Sequence, residues 1–297
     1  MLYDEIEKNK KYIYGIKSSI IDKIKDGLIT IKLPKRKTKI IERGIHFTKD
    51  HSKNYFHWIV ECLPRLSLIE DLDINIPLIV DDDLPEQFYE ALQLINDKRK
   101  VIKLKWAEAY KVKKIYYPSQ LSVLHDNYGL PIYDKDAYYS LKAINYVQSI
   151  ILRNLNITHR KNNRKIYVSR KNSDYRQLLN TTEIENLLVR QGFEIVFPEH
   201  LSFVAQVELF SQAKIIVGQS GAGMANFIFA RYNCKILIMM SDAPQTNLHL
   251  FNSLARAASI SIDFLIGKGV SFHNKFTIHK DFYIDEKLII SYLENNL

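Results

Sequence analysis

Residues 214–230 read KIIVGQSGAGMANFIFA. An apolar, β-branched run ends in a cluster of glycine, serine and alanine, and apolar residues resume at Met224. The pattern is strand, tight turn, helix, and a strand this apolar suits a sheet covered on both faces. Three motifs come close to it. Gly218 and Ser220 fit the G-x-S-x-G elbow of a hydrolase, but Ala222 stands where its last glycine should be. Gly218 and Gly223 have the spacing of a P-loop, yet Met224 and Ala225 replace the lysine and hydroxyl that hold a triphosphate and its magnesium. Gly221 and Gly223 open the dinucleotide fingerprint G-x-G-x-x-G, which fails at Asn226. All three share one geometry, in which unpaired backbone N–H groups sit at the positive end of a helix dipole. Two readings follow: an anion rests on the amides of Gly221, Ala222 and Gly223, or the glycines serve packing alone.

The surroundings of that turn favour the first. KIYVS (165–169), FEIVF (193–197), KIIVG (214–218), KILIMM (235–240) and IDFLI (262–266) read as short apolar strands. Between them lie helix patterns. Thr182-Glu183-Ile184-Glu185 has the form of a capping box opening a helix to about Arg190, with Gly192 marking its end. Ser202 caps 203–212, and further helices cover 224–231 and 246–258. Strand–helix alternation with short connections predicts an α/β fold with a parallel, doubly wound sheet. Ligands in such sheets sit beyond the carboxyl ends of the strands. The 218–223 loop follows one strand and Arg170 another, so a cation and a row of N–H groups share an edge.

The N-terminal half is less regular. Strands are expected within 38–47, 76–80, 101–105 and 113–118, and helices over 55–72, 85–96 and 134–156. Pro64 should kink or end the first of these helices. The polar stretch NITHRKNNRK (156–165) marks a boundary. It divides the chain into an N-terminal α/β domain (1–157), a C-terminal Rossmann-like domain (158–284) and a last helix (285–297).

The 297 residues carry a net charge of +9 and are 46% hydrophobic. That supports a real core and points to anionic partners: nucleic acid, phosphorylated metabolites or an acidic membrane face. No RNP1 pattern or zinc-finger spacing is present, so no nucleic-acid partner is expected. Cys62 and Cys234, the two cysteines, lie far apart in apolar settings and read as buried free thiols of a reducing compartment. The N-terminus is too charged for a signal peptide, and no run reaches the roughly 18 apolar residues of a spanning helix. The expectation is a cytoplasmic protein, with its basic surface making peripheral contact with the anionic inner face of a membrane.

NYFHWIVECLPRL (54–66) and the stretch from Arg164 to Phe229 together resemble glycosyltransferase family 61. The shared pattern is N-x-x-H-W with a nearby proline, a Y-x-S-R strand end, and a downstream arginine and asparagine. G-F-x-x-x-x-P-E follows, then a glutamine, then a glycine-rich turn ending in asparagine. The resemblance implies two Rossmann-like domains facing a cleft, the GT-B arrangement, and an inverting enzyme that uses a nucleotide sugar without a metal. The acceptor would be a glycan or lipid-linked glycan, as in surface-polysaccharide synthesis. Ser220 departs from the family, which often has histidine there; a serine can donate a hydrogen bond but carries no charge.

Sugar transfer must stabilise a diphosphate leaving group and deprotonate an acceptor hydroxyl. For the first, the resemblance assigns Arg170 and Arg176, the turn amides and Ser220, with Asn180 and Asn226 orienting and Pro198 and Glu199 beside the nucleoside. For the second, His57 and Glu61 are four apart and share a helix face, so either can be the base. Asn54 and Trp58 are the acceptor-side candidates. Asp81 and Asp83 have the spacing of a metal-binding Asp-x-Asp, but short acidic runs after strands are common, and no metal is expected. Two rivals stay open: a serine hydrolase using Ser220 with His249 or His273, and a nucleotide-sugar-binding module without turnover.

Overall fold

A computed structural model of the chain describes residues 21–25, 28–31, 38–49, 51–96, 98–105, 108–124, 137–157, 162–171, 173–244, 246–271 and 280–296. All five strands expected in the C-terminal half are found, and the differences elsewhere have physical causes.

The larger compact unit takes in residues 51–70, 85–97 and 119–297. Its sheet has the strand order β10 (Glu194–Val196), β9 (Arg164–Val168), β11 (Ala213–Gln219), β12 (Lys235–Ser241), β13 (Asp263–Ser271), β14 (Asp281–Tyr283). The first five run parallel and β14 is antiparallel to β13. The middle strands are buried almost throughout, which is why they read as unbroken apolar runs. Alternate residues Tyr167, Ile215, Val217, Leu237 and Met239 pack with the helices Thr181–Arg190 and Glu286–Asn296. The chain leaves β9 toward one side to form β10, then crosses back to β11 on the other. The gap between the carboxyl ends of β9 and β11 is therefore a topological switch point, where doubly wound sheets hold ligands.

The expected helix over 55–72 ends at Leu68 and changes winding twice: α-helical at Tyr55–His57, π-helical at Trp58–Cys62, 3₁₀ at Leu63–Leu68. Pro64 sits at the start of the 3₁₀ segment, where its missing N–H costs least. Asn54 caps this helix by accepting from the Phe56 N–H at 2.9 Å. The capping box at 182–185 does not form. The helix begins at Thr181, and Glu185 accepts a hydrogen bond from Ser169 Oγ at 2.7 Å instead. Gly192 ends the helix at φ +82, a conformation that favours glycine. Ser202 caps Phe203–Ser211 through the Ala205 N–H as expected. The long helix over 134–156 is shorter, Leu141–Asn154, capped by Ser140. Ahead of it Ala137–Tyr139 forms β8, antiparallel to β7 (Ser122–Leu124), and residues 134–136 lie outside the described residues.

The smaller unit comprises 1–50, 71–84 and 98–118 in so far as these are described. It is built on a four-stranded parallel sheet in the order β5 (Val101–Leu104), β4 (Leu78–Asp81), β3 (Lys39–His46), β6 (Tyr110–Tyr116). The same unit includes a separate hairpin of β1 (Ile21–Lys25) and β2 (Leu28–Ile31). Buried Arg99 ties its turns by donating to the carbonyls of Leu72, Asp73 and Ile76. The fold is thus α/β with two parallel sheets, but the chain does not divide at one point near residue 157. Residues 51–70 and 85–97 belong with the C-terminal sheet because their apolar faces pack there. Phe56 meets Phe251 edge-on, Trp58 stacks on Phe88, and Glu90 accepts from the Phe203 N–H. No helix among the described residues is long and apolar enough to cross a membrane.

Candidate active site

A cavity of about 420 Å³ opens at the switch point, and all of its lining lies in the larger unit. Ser169 and Arg170 follow β9, Gln219 and Gly221–Met224 end β11, and Pro198 and Glu199 follow β10. Lys53, Tyr55, Pro85, Gln87 and Phe88 make the opposing wall. Such a volume suits a small ligand.

Arg170 dominates the wall. Its Nη2 donates to Ser173 Oγ at 2.7 Å and, at 3.4 Å, to the Tyr175 carbonyl. Ser173 in turn is braced by the Tyr175 N–H and the Gln177 side chain. Arg170 Nε is buried and makes no hydrogen bond among the described residues. Burial first, then repulsion from Arg176, pushes the guanidinium down to about 10, while Glu199 opposes the shift. Arg170 stays charged at neutral pH, as an incompletely neutralised cation in a recess. Gly221 is what lets it lie there: a Cβ at that position would come within 1.8 Å of Nη1. The glycine thus admits a guanidinium. Gly218 admits the Met224 thioether in the same way, and Gly223 lies against Pro198.

The segment Ala222–Phe229 is a 3₁₀ helix entered through Gly221, whose carbonyl accepts from the Met224 N–H. The N–H groups of Gly221, Ala222 and Gly223 take no backbone acceptor among the described residues and adjoin the cavity. Arg170, the turn amides, Pro198 and Glu199 are therefore brought together as expected.

Other expected residues are placed elsewhere. Asn226 is fully buried and does not line the cavity. It accepts from Tyr55 Oη at 2.5 Å and donates to Gln206 Oε1 at 2.7 Å and to the Gly223 carbonyl. Asn180 is also buried, paired through both ends of its amide with the backbone of Ile284. Both asparagines tie buried protein groups together, and neither lines the cavity. Trp58 is a core residue, 0% exposed. Arg176 stands close enough to act on Arg170 but off the cavity wall, with an uncommon φ of 58°. Ser220 is buried, its N–H bonded to the Met239 carbonyl, and it does not line the cavity. No hydrogen bond joins Ser220 to His249, and His273 lies outside the described residues. That removes the support for the hydrolase reading.

His57 and Glu61 meet as their spacing requires, Nδ1 to Oε2 at 2.6 Å, with Glu61 buried. The His51 ring lies 5.4 Å from that of His57. The pair is not on the wall of the 420 Å³ cavity. Asp81 ends β4 in the smaller unit, and among the described residues no three His, Cys, Asp or Glu gather as a metal requires. Cys62 and Cys234 are buried thiols not joined in a disulfide, Cys62 Sγ lies 3.5 Å from Ser52 Oγ, and burial pushes the Cys234 thiol up to about 12.

Sequence reasoning missed Ser173, Gln219, Tyr55, Lys53 and Gln87. Ser173 and Gln219 flank residues already singled out and were within reach. Gln87 comes from a helix far away in sequence, and reaches the site by donating to the carbonyls of Glu199 and Leu201; no local signal marks it.

The glycosyltransferase 61 family profile matches residues 55–237. No curated protein matches the chain. Among solved structures, the heptosyltransferase WaaC of E. coli, determined with ADP, is similar at 8% identity and a TM-score of 0.43, over 86% of this chain and 100% of that one. The matched span includes the helix that carries His57 and Glu61, the loop of Arg170 and the glycine turn of the cavity. The chain belongs to glycosyltransferase family 61 and is a glycosyltransferase.

Proposed function

We propose that the enzyme transfers a sugar with inversion from a nucleoside-diphosphate sugar, UDP-linked in our reading, to a glycan or lipid-linked glycan of surface-polysaccharide synthesis. The observation that carries this is the half-buried guanidinium of Arg170, its Nε buried and unbonded, beside three open amides at a switch point. Such a site stabilises an anion, and the anion this family's chemistry releases is a nucleoside diphosphate. Arg170 and the amides of Gly221, Ala222 and Gly223 face the phosphates, Arg176 adds to the field, and the Glu199 carboxylate accepts from ribose hydroxyls.

In the transfer step the acceptor oxygen attacks the anomeric carbon on the face opposite the diphosphate. The bond from that carbon to the phosphate oxygen breaks, and its electron pair stays on the leaving phosphate. The acceptor proton goes to a base, for which His57 is the candidate. Glu61 holds a proton on Nδ1, which leaves the Nε2 lone pair to accept. No metal takes part in this scheme.

Calorimetric titration with UDP, GDP and ADP, with and without EDTA, tests the reading. Binding of one nucleotide that survives EDTA is expected, and failure of all three to bind would end it. His57→Gln should abolish transfer and leave nucleotide affinity unchanged. The anomeric configuration of the product, read by NMR, decides inversion. Peripheral membrane contact rests on exposed lysines such as Lys111, Lys113 and Lys114 of β6, and flotation with anionic liposomes tests it.

A further inference from the structure

We propose that Gln219 is a further ligand contact, presenting its side-chain NH₂ to the leaving diphosphate from the end of β11. The proposal rests on the donor-site reading above. Gln219 is 1% exposed yet lines the cavity beside Ser169, Arg170 and Gly221. One end of its amide meets Tyr167 Oη at 2.8 Å, and the other end takes no hydrogen bond among the described residues. A buried polar atom left open on a cavity wall is a position that a ligand completes.

Hydrogen-bond accounting decides which end faces the cavity. With Nε2 toward Tyr167, the amide donates to the hydroxyl, the hydroxyl proton has no acceptor, and Oε1 is unsatisfied as well. The neighbouring Ser169 hydroxyl gives its proton to Glu185 and accepts from the Lys171 N–H, so it serves neither. Burial above all holds the Tyr167 hydroxyl in its protonated form, with Glu185 adding to the effect, so it is available as a donor. Turning the amide by 180°, a change that leaves its shape the same, lets Tyr167 Oη donate to Oε1. The hydroxyl proton and Oε1 are then paired, and the open group becomes the NH₂, two donors on the wall of the cavity that Arg170 makes attractive to anions. Gln219 thereby supplies a neutral donor at the glycine turn.

The test uses the full chain and whichever of UDP, GDP or ADP binds wild type most tightly. Gln219→Met should weaken that nucleotide about tenfold or more, the loss expected for a hydrogen bond to a charged group. Gln219→Glu, of the same size, should weaken it further, because a carboxylate then faces the phosphates. Binding of the free nucleoside should be unchanged in both. In wild type, the Gln219 side-chain ¹⁵N resonances should shift on adding the nucleotide, a readout independent of any variant's folding. Wild-type affinity in Gln219→Met would overturn the assignment of Gln219 alone. Binding in Gln219→Glu equal to or tighter than in Gln219→Met would overturn the NH₂ orientation. Wild type that binds no nucleotide would overturn the donor-site reading, and this inference with it.

Discussion

Gly221 and Asn226 stand five residues apart in one glycine-rich segment, and the structure gives them opposite work. Around Gly221 the polar groups are open: a guanidinium with a buried, unbonded Nε, and three amides without backbone acceptors. Around Asn226 every polar group is closed, because Tyr55, Gln206 and Gly223 use both ends of its amide. The first region is unfinished without a ligand and the second is finished without one. Family motifs contain both kinds of residue, and the hydrogen-bond account separates them where residue type does not.

The sharpest way to break this contrast is Asn226→Ala. It strands the Tyr55 hydroxyl and the Gln206 amide in a fully buried place, and each such group costs about 1–3 kcal/mol. A loss of about 2–5 kcal/mol in unfolding free energy is expected from urea titration. The protein that remains folded should bind UDP within about twofold of wild type. A variant of wild-type stability that fails to bind would move Asn226 into the site.

Arg170→Met is the converse. Removing a charge-assisted contact should cost about 1.5–3 kcal/mol of nucleotide affinity, measured by calorimetry. Stability should hold or rise. Burial first, then repulsion from Arg176, holds the Arg170 guanidinium below its ordinary value, down to about 10, so between that value and the ordinary one the unfolded chain binds more protons. The folded state therefore gains stability as pH rises through that window. Below it the half-buried cation is expected to cost stability, which methionine removes. A variant clearly less stable than wild type would show that the arginine serves the fold.

Gly221→Ala approaches the same contact from the backbone. Its φ of −176° suits any residue, so the fold should tolerate alanine. The new Cβ would meet Nη1 at 1.8 Å and must displace it. UDP affinity should fall about tenfold, and the double variant with Arg170→Met should lose little more than either alone. Additive losses would mean that glycine admits the nucleotide and not the arginine.

The sheet of the larger unit was legible because fully buried parallel strands leave unbroken apolar runs such as KILIMM, and Gly192 and Ser202 mark helix ends by local chemistry. The division of the chain was not. The polar stretch after residue 156 looks like a linker, whereas what assigns Phe56, Trp58 and Phe88 to a unit is which distant apolar faces they meet. In the site, Arg170 and the glycine turn were legible from their places at strand ends. Asn180 and Asn226 fall off the cavity wall, because an asparagine that ties buried groups together carries the same letter as one that touches a ligand. Gln219 went unremarked because its open amide end exists only beside Tyr167, on the neighbouring strand.

The smallest expected effect lies where the two regions join. Tyr55 lines the cavity with its ring while its hydroxyl belongs to the Asn226 network. Tyr55→Phe keeps the ring and its edge-on contact with Phe88, 5.8 Å between centroids, and removes only the oxygen. Asn226 Oδ1 then loses the donor it has among the described residues, while Gln206 and the Gly223 carbonyl still hold the amide nitrogen. About 1 kcal/mol of stability should be lost, at the low end for a buried acceptor left open. Nucleotide affinity should stay within about twofold, since no group facing the phosphates has changed. Were affinity instead to fall tenfold with the fold intact, the tie at Asn226 would be setting the shape of the cavity through the Ala222–Phe229 helix. Closed and open regions would then be one device, with the buried tie fixing where the open amides point.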